Sequence, residues 1–486
     1  MNRDTAELVI VDAASEPVVP FERPARGRGP LLAARRRWAL LREDPAHVAA
    51  VSTSWRALLA SRLYIWATAV ATILAFGFGP VRHAFIPAGV TKGFGWLGDL
   101  LAAPAARWDA SWYLVIAHYG YRPELFPFTA SRTAFFPVYP LGLRGITTLG
   151  VPPIIAGVLL STSALGLALY GIHRLVTLEL ASAAPAVRGR SGEIARLAVL
   201  LTAFAPMAFF LSAVYSESLY LCLSIGVFWF ARQGRWMWVG VLGALAAATR
   251  STGLVLVLPA LILYLYGPRR DRRADFPRRA RSLLPRYRVR AEVLWLVLVP
   301  AGLAAYLGYL SLAGGEALSP FHAQQVWDRH FAGPFIGAWD GIRAGAEGLL
   351  ELAGLQAHHG YVSNAVSDPL APRVRAMTST LVSPGHNVLL AAFLVFTVVA
   401  TVGVLRTLPF AYGAYVLAAL ALPLSYPVTS QPLMSLPRFL LVLFPLTIWL
   451  AAWLSARPRL ELPALVASAL LLALFAAQFA TWHWVA

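Results

Sequence analysis

Long apolar blocks with few charges constrain this chain more than any other feature. The hydrocarbon layer of a bilayer is about 30 Å thick, so roughly 20 apolar residues in a helix are needed to cross it. Such blocks run at about Ala57–Gly79, Val151–Val176, Leu197–Val214, Leu219–Phe230, Trp236–Thr249, Leu254–Tyr266 and Val293–Leu312, then Val388–Leu405, Leu408–Leu424, Leu436–Leu454 and Leu462–Trp482. Only 13% of the residues are charged, against about 25% in an average soluble domain. The chain therefore reads as an all-α polytopic membrane protein of about eleven transmembrane helices. One integral domain, 57–486, follows a basic and largely disordered N-terminus, 1–56, with an interfacial helix near Trp38 and no signal-peptide pattern.

Charge sets the sidedness. The formal net charge is +18, and Lys92 is the single lysine among 41 basic residues. In a soluble protein this balance would suggest nucleic acid. Here arginines mark loops that resist translocation, and anionic lipid attracts them too. The loop 268–290 holds ten Arg against Asp271 and Asp275 and reads as cytoplasmic. Counting spans back from it puts the N-terminus inside and leaves 80–150 and 313–386 as long outer loops. Residues 135–149 are apolar but short and broken by Pro137, Pro140 and Arg144, so they read as an interfacial or half-inserted helix.

Polar residues gather at the outer ends of the spans: Arg107, Asp109, His118, Arg122 and Arg132, then Glu217 and Arg250, then Gln324, Gln325, Asp328, Arg329 and Arg438. Ionisable groups at membrane depth are costly and mark functional sites. The stretch Arg107–Tyr121 places Trp108, Trp112, Val115, Ile116 and Tyr119 on one helical face, which predicts an interfacial amphipathic helix with Asp109 in its first turn. Asp109 can be a helix cap there or a catalytic carboxylate. Glu217 has the same two readings, and Arg250 either snorkels or binds phosphate. His358, His359 and His386 lack metal spacing and read as solvated loop. Cys222 stands alone, so no intrachain disulfide forms. No P-loop, GxGxxG or zinc motif is present, so no cofactor is expected, and a divalent cation is left open.

In order along the chain, RWDASWYLVIAHYGY, AFFPVYP, VYSESLYL, TRSTGLVL, AQQVWDR and LPRFLLVLFP resemble the second mannosyltransferase of glycosylphosphatidylinositol synthesis (PIG-V-type) and its bacterial relatives. The resemblance covers about 100–445. It implies a GT-C glycosyltransferase bundle with amphipathic helices in the first outer loop and a polyprenyl-phosphate sugar, most simply mannose, as donor. It further implies Asp109 as general base, and Glu217, Arg250, Gln325, Trp327 and Arg438 as lining of the substrate cavity. Trp108, Trp112, Tyr113, Arg122 and Arg132 join that set from the same loop. The acceptor would be a glycolipid, a glycan or a protein, attacked with inversion on the outer face of the cell membrane. Nucleic acid is not an expected partner.

The competing reading is a transporter or flippase. Transporters carry charges at mid-span and internal repeats. Here spans such as 57–79 and 388–405 have uncharged middles and no repeat is evident, which favours the enzyme. The topology predicts that cysteines near Ala110 and Ser319 react with an impermeant label from outside, whereas one near Ala274 does not. Labelling at 274 would reverse the assigned orientation.

Overall fold

A computed structural model describes residues 43–78, 95–121, 129–181, 183–276, 284–356, 384–429, 431–483 and 485. Among them every regular element is helical, and a single isolated bridge pairs Arg329 with Val428. The protein is an all-α polytopic membrane protein. Five helices are long and apolar enough to cross a membrane: Pro45–Phe76 (α1), Pro153–Leu180, Ala291–Leu312, Pro384–Thr407 and Pro458–Ala480. Four shorter apolar helices accompany them, Trp236–Ala247, Ser251–Tyr266, Phe410–Leu424 and Phe444–Ser455. The two remaining expected spans are the short helices Ser191–Ala203 and Glu217–Arg232.

Helix α1 begins at Pro45, well before the expected Ala57. The Asp44 carboxylate caps it by accepting from the Ala46 N–H at 3.0 Å, and Pro45 supplies the preset φ of a first helical residue. Two expected spans are broken instead of continuous, each near a proline. Pro206 follows the end of Ser191–Ala203 at Phe204, and the freed carbonyls of Ala203 and Ala208 accept from Arg62 at 2.9 and 2.7 Å. Pro445, which lacks an N–H and whose ring crowds the carbonyl four residues back, separates Leu436–Leu440 from Phe444–Ser455.

The expected helix around Asp109 is Ala110–Tyr119 (α2), and its buried face differs from the one the spacing suggested. Ala110, Tyr113, Leu114 and Ala117, at i, i+3, i+4 and i+7, are buried with Ile116, whereas Tyr119 is exposed. The helix is packed into the protein against Val138–Thr147 (α3), so its apolar face meets side chains. Helix α3 has ten residues, far too few to span. His386 sits in the first turn of Pro384–Thr407 and not in a solvated loop. His358 and His359 lie outside the described residues, as does most of 1–56.

The Pro153–Leu180 helix (α4) packs along Glu217–Arg232 (α5), which also packs against Trp236–Ala247 (α6). At about 1.5 Å per residue, the 16-residue α5 separates its two ends by roughly 24 Å. Both ends carry buried charge. At its C-terminal end Arg232 pairs with Glu179 of α4, to which Tyr412 also donates at 2.8 Å, and Arg232 Nη1 reaches the Pro268 carbonyl at 2.7 Å. This is the end of the Arg-rich loop, anchored by Arg269 against the rings of Trp236, Tyr264 and Tyr287 at 4.8–5.2 Å. The N-terminal end, at Glu217, holds the second cluster.

Two consequences are testable. A methyl group at Gly253 would stand 2.2 Å from the Ala246 carbonyl, whereas one at Gly145 meets nothing within 4 Å. Gly253→Ala is therefore expected to destabilise by about 1–3 kcal/mol and to lower the melting temperature in detergent, with Gly145→Ala unaffected. Equal melting of the two would show that the α6 contact is not tight. Ala110 is fully buried, so the outer labelling position belongs at exposed Glu316.

Candidate active site

Four charged residues far apart in sequence form one chain of ion pairs at the start of α5. Arg250 Nη1 donates to Glu217 Oε1 at 2.7 Å; Arg438 Nε donates to the same oxygen; Arg438 Nη1 donates to Asp109 Oδ2 at 2.8 Å. The order Arg250, Glu217, Arg438, Asp109 alternates in sign. Side-chain exposure runs from 0% at Glu217 through 10% at Arg438 and 14% at Arg250 to 22% at Asp109. The cluster is thus sealed around Glu217 and most open at Asp109.

Each member is placed by local structure. Asp109 stands at the N-cap position of α2, yet its side chain makes no capping hydrogen bond and turns to Arg438. A cap is therefore not its role here. Trp108, just before it, has φ of +55°, in the left-handed region that a bulky side chain seldom adopts. Trp482 also has positive φ and meets Trp108 edge-on at 5.7 Å; Arg107 covers the Trp482 ring at 4.9 Å and donates to the Ala480 carbonyl. The Tyr215 hydroxyl donates to the Arg107 carbonyl at 2.8 Å and so ties the turn before Asp109 to the turn before Glu217. Arg438 lies on the short helix Leu436–Leu440, started by Ser435 at φ +68°, and its guanidinium is held over Tyr215 and Phe210 at 4.7 and 5.0 Å. Positive φ in non-glycine residues costs about 1–3 kcal/mol and collects at functional sites. Among the described residues four have it, and three flank this cluster.

A third cation stands behind these. The Phe439 ring lies 5.9 Å from both Arg250 and Arg329, and Arg329 donates to the carbonyls of Tyr426 and Met434. Burial and the neighbouring Arg438 push the Arg329 pKa down to about 10, and Asp109 opposes the shift. An aromatic wall borders the open side. Trp112, one helical turn beyond Asp109, stacks on Phe135 at 5.7 Å, and Trp327 stands edge-on to both.

Of the residues singled out from sequence, Asp109, Glu217, Arg250 and Arg438 converge, with Trp108, Trp112 and Trp327 around them. Tyr113 is buried behind the site, hydrogen-bonded to Ser216 at 2.8 Å. Arg132 spends a donor on the Gly120 carbonyl, and Gln325 is exposed on a short 3-10 turn. Arg122 lies outside the described residues. Phe210 and Phe439 went unread because a phenylalanine in an apolar block carries no signal of a cation above it; Trp482 sat in the last span. Among the described residues no group of three or more His, Cys, Asp or Glu is placed to hold a metal.

The fold and the cluster define a polytopic membrane protein with a buried ionic site at one end of its bundle. Residues 94–263 match the family model described as Mannosyltransferase (PIG-V). It is similar to "GPI alpha-1,6-mannosyltransferase 2" of Rattus norvegicus (35% identity over 167 residues, 33% of this chain and 32% of the relative). The protein of that name from Mus musculus is 36% identical over 156 residues, 31% of this chain and 29% of the relative. The one from Homo sapiens is 33% identical over 196 residues, 38% of this chain and 35% of the relative. The chain thus spans about a third of the length of the curated relatives it matches. No solved structure matches. The matched family region contains Asp109, Glu217 and Arg250; Arg329 and Arg438 lie beyond it.

Burial ranks the two carboxylates. Glu217→Ala leaves two guanidinium groups without their fully buried counter-charge and is expected to cost about 3–5 kcal/mol. Asp109→Asn removes a partly solvated partner and is expected to cost about 1 kcal/mol or less. Thermal unfolding of the purified variants checks this, and a larger loss for Asp109→Asn would invert the ranking.

Proposed function

We propose that this protein is a membrane mannosyltransferase of the GT-C type that moves mannose from a polyprenyl-phosphate carrier to an acceptor hydroxyl on the extracytoplasmic side of the cell membrane. The observation that carries this reading is the convergence of Asp109 with Arg250 and Arg438 around one buried carboxylate, at the end of the bundle opposite the Arg-rich loop. The mannose follows the family description and the names of the relatives.

The chemistry asks for what this cluster offers. As the acceptor oxygen attacks the anomeric carbon, its proton passes to Asp109, which is the most exposed member of the ionic chain. The bond from the anomeric carbon to the phosphate oxygen breaks on the opposite face, so the configuration inverts. The negative charge left on the lipid phosphate is met by guanidinium groups already fixed by Glu217 and the rings beneath them. Trp112 and Trp327 offer apolar faces to a sugar ring beside Asp109. Glycolipid, glycan and protein acceptors all present the hydroxyl that this step needs.

Membranes containing the wild type are expected to transfer radiolabelled mannose from polyprenyl-phosphate mannose, and Asp109→Asn to do so about 10²- to 10⁴-fold more slowly. Equal rates would remove Asp109 as the base. A folded wild type that transfers from no lipid-linked sugar would remove the enzyme reading.

A further inference from the structure

We propose that Arg438 is an exchangeable clamp: the donor phosphate displaces Asp109 from it, while Glu217, a positioning residue, keeps it in place. This rests on the lipid-phosphate donor proposed above. Arg438 binds both carboxylates, and their burial decides which bond can yield. Glu217 is 0% exposed, so pulling Arg438 away from it would leave a carboxylate without access to water and with Arg250 as its one cation. Asp109 is 22% exposed, so water can solvate it once released.

The donors available fit a phosphate between the two arginines. Arg250 uses only Nη1 on Glu217 and Ser216, which leaves Nε and Nη2. Arg438 engages Nε and Nη1, which leaves Nη2, joined by Nη1 once Asp109 departs. Two guanidinium edges locked to one carboxylate oxygen thus face the two free oxygens of a phosphodiester. The charges agree. Arg250, Arg329 and Arg438 against Asp109 and Glu217 sum to +1, the complement of a monoanionic diester.

The exchange also orders the reaction. While Asp109 Oδ2 accepts from Arg438 Nη1, that oxygen is occupied and turned away from an incoming hydroxyl. Arrival of the phosphate frees the carboxylate beside the anomeric carbon. The base is thereby exposed only when a donor is present, and the donor precedes the acceptor.

The test measures binding without turnover. Full-length protein in detergent is titrated with farnesyl phosphate, a short polyprenyl phosphate that carries no sugar. Asp109→Asn, the variant expected to abolish transfer, is expected to bind it about three- to tenfold more tightly than the wild type, since a competitor for Arg438 is gone. Glu217→Gln is expected to bind at least about tenfold more weakly. In an Arg438→Gln background, adding Asp109→Asn is expected to bring no gain. Unchanged or weaker binding by Asp109→Asn would overturn the exchange. So would a gain that persists without Arg438, because it would reflect charge alone. If neither the wild type nor Asp109→Asn binds farnesyl phosphate, the donor reading itself falls.

Discussion

A carboxylate sealed from water stays charged only with cations against it, and the whole site hangs on Glu217 meeting that condition. Its Oε1 is shared by Arg250 and Arg438, which come from the end of α6 and from a short helix near the other end of the sequence. Neither arginine could sit beside the other without the negative charge between them. Their common direction, and through Arg438 the placement of Asp109, follows from one buried oxygen. The second ion pair on α5, Arg232 with Glu179, works the same way at the opposite end and fixes how α4 and α5 lie along each other.

Arginine also does a second job in this structure. Helix ends and interruptions in a membrane domain free carbonyls that need donors other than their own helix. Arg62 takes those of Ala203 and Ala208, Arg107 that of Ala480, Arg190 that of Ser455, and Arg329 those of Tyr426 and Met434. A planar guanidinium with five donors can satisfy carbonyls while lying by an aromatic ring, as Arg107 does with one over Trp482 and Arg329 does with two near Phe439. A compact ammonium cannot. At the break near Pro206, Arg62 supplies the donors that the interrupted helix lacks.

Much of the fold was legible because hydropathy is a sum over many residues. Long apolar blocks remain spans whatever they pack against: α4 and the helices at Pro384 and Pro458 fall where the blocks predicted, and α1 covers most of its block but starts well before it. The misreadings have local causes. Pro206 and Pro445 interrupt blocks whose average hydropathy hides a single missing donor. Helical spacing around Asp109 picked out the aromatic residues as one face, whereas the neighbouring α3 buries the Ala110–Tyr113–Ala117 side. Hydrophobicity says that a face will be covered, but not by what.

For the site, the sequence by itself determined which residue types were on hand. Asp109, Glu217, Arg250 and Arg438 stand out as charges at the edges of apolar blocks, and charge in such places is rare enough to read one residue at a time. Only the tertiary structure decided that they touch, that Asp109 turns from its own helix to Arg438, and that Glu217 is sealed while Asp109 is open. Pairing across 329 residues is a property of how helices pack, and burial is a property of everything around a group. Neither is written at any one position in the chain.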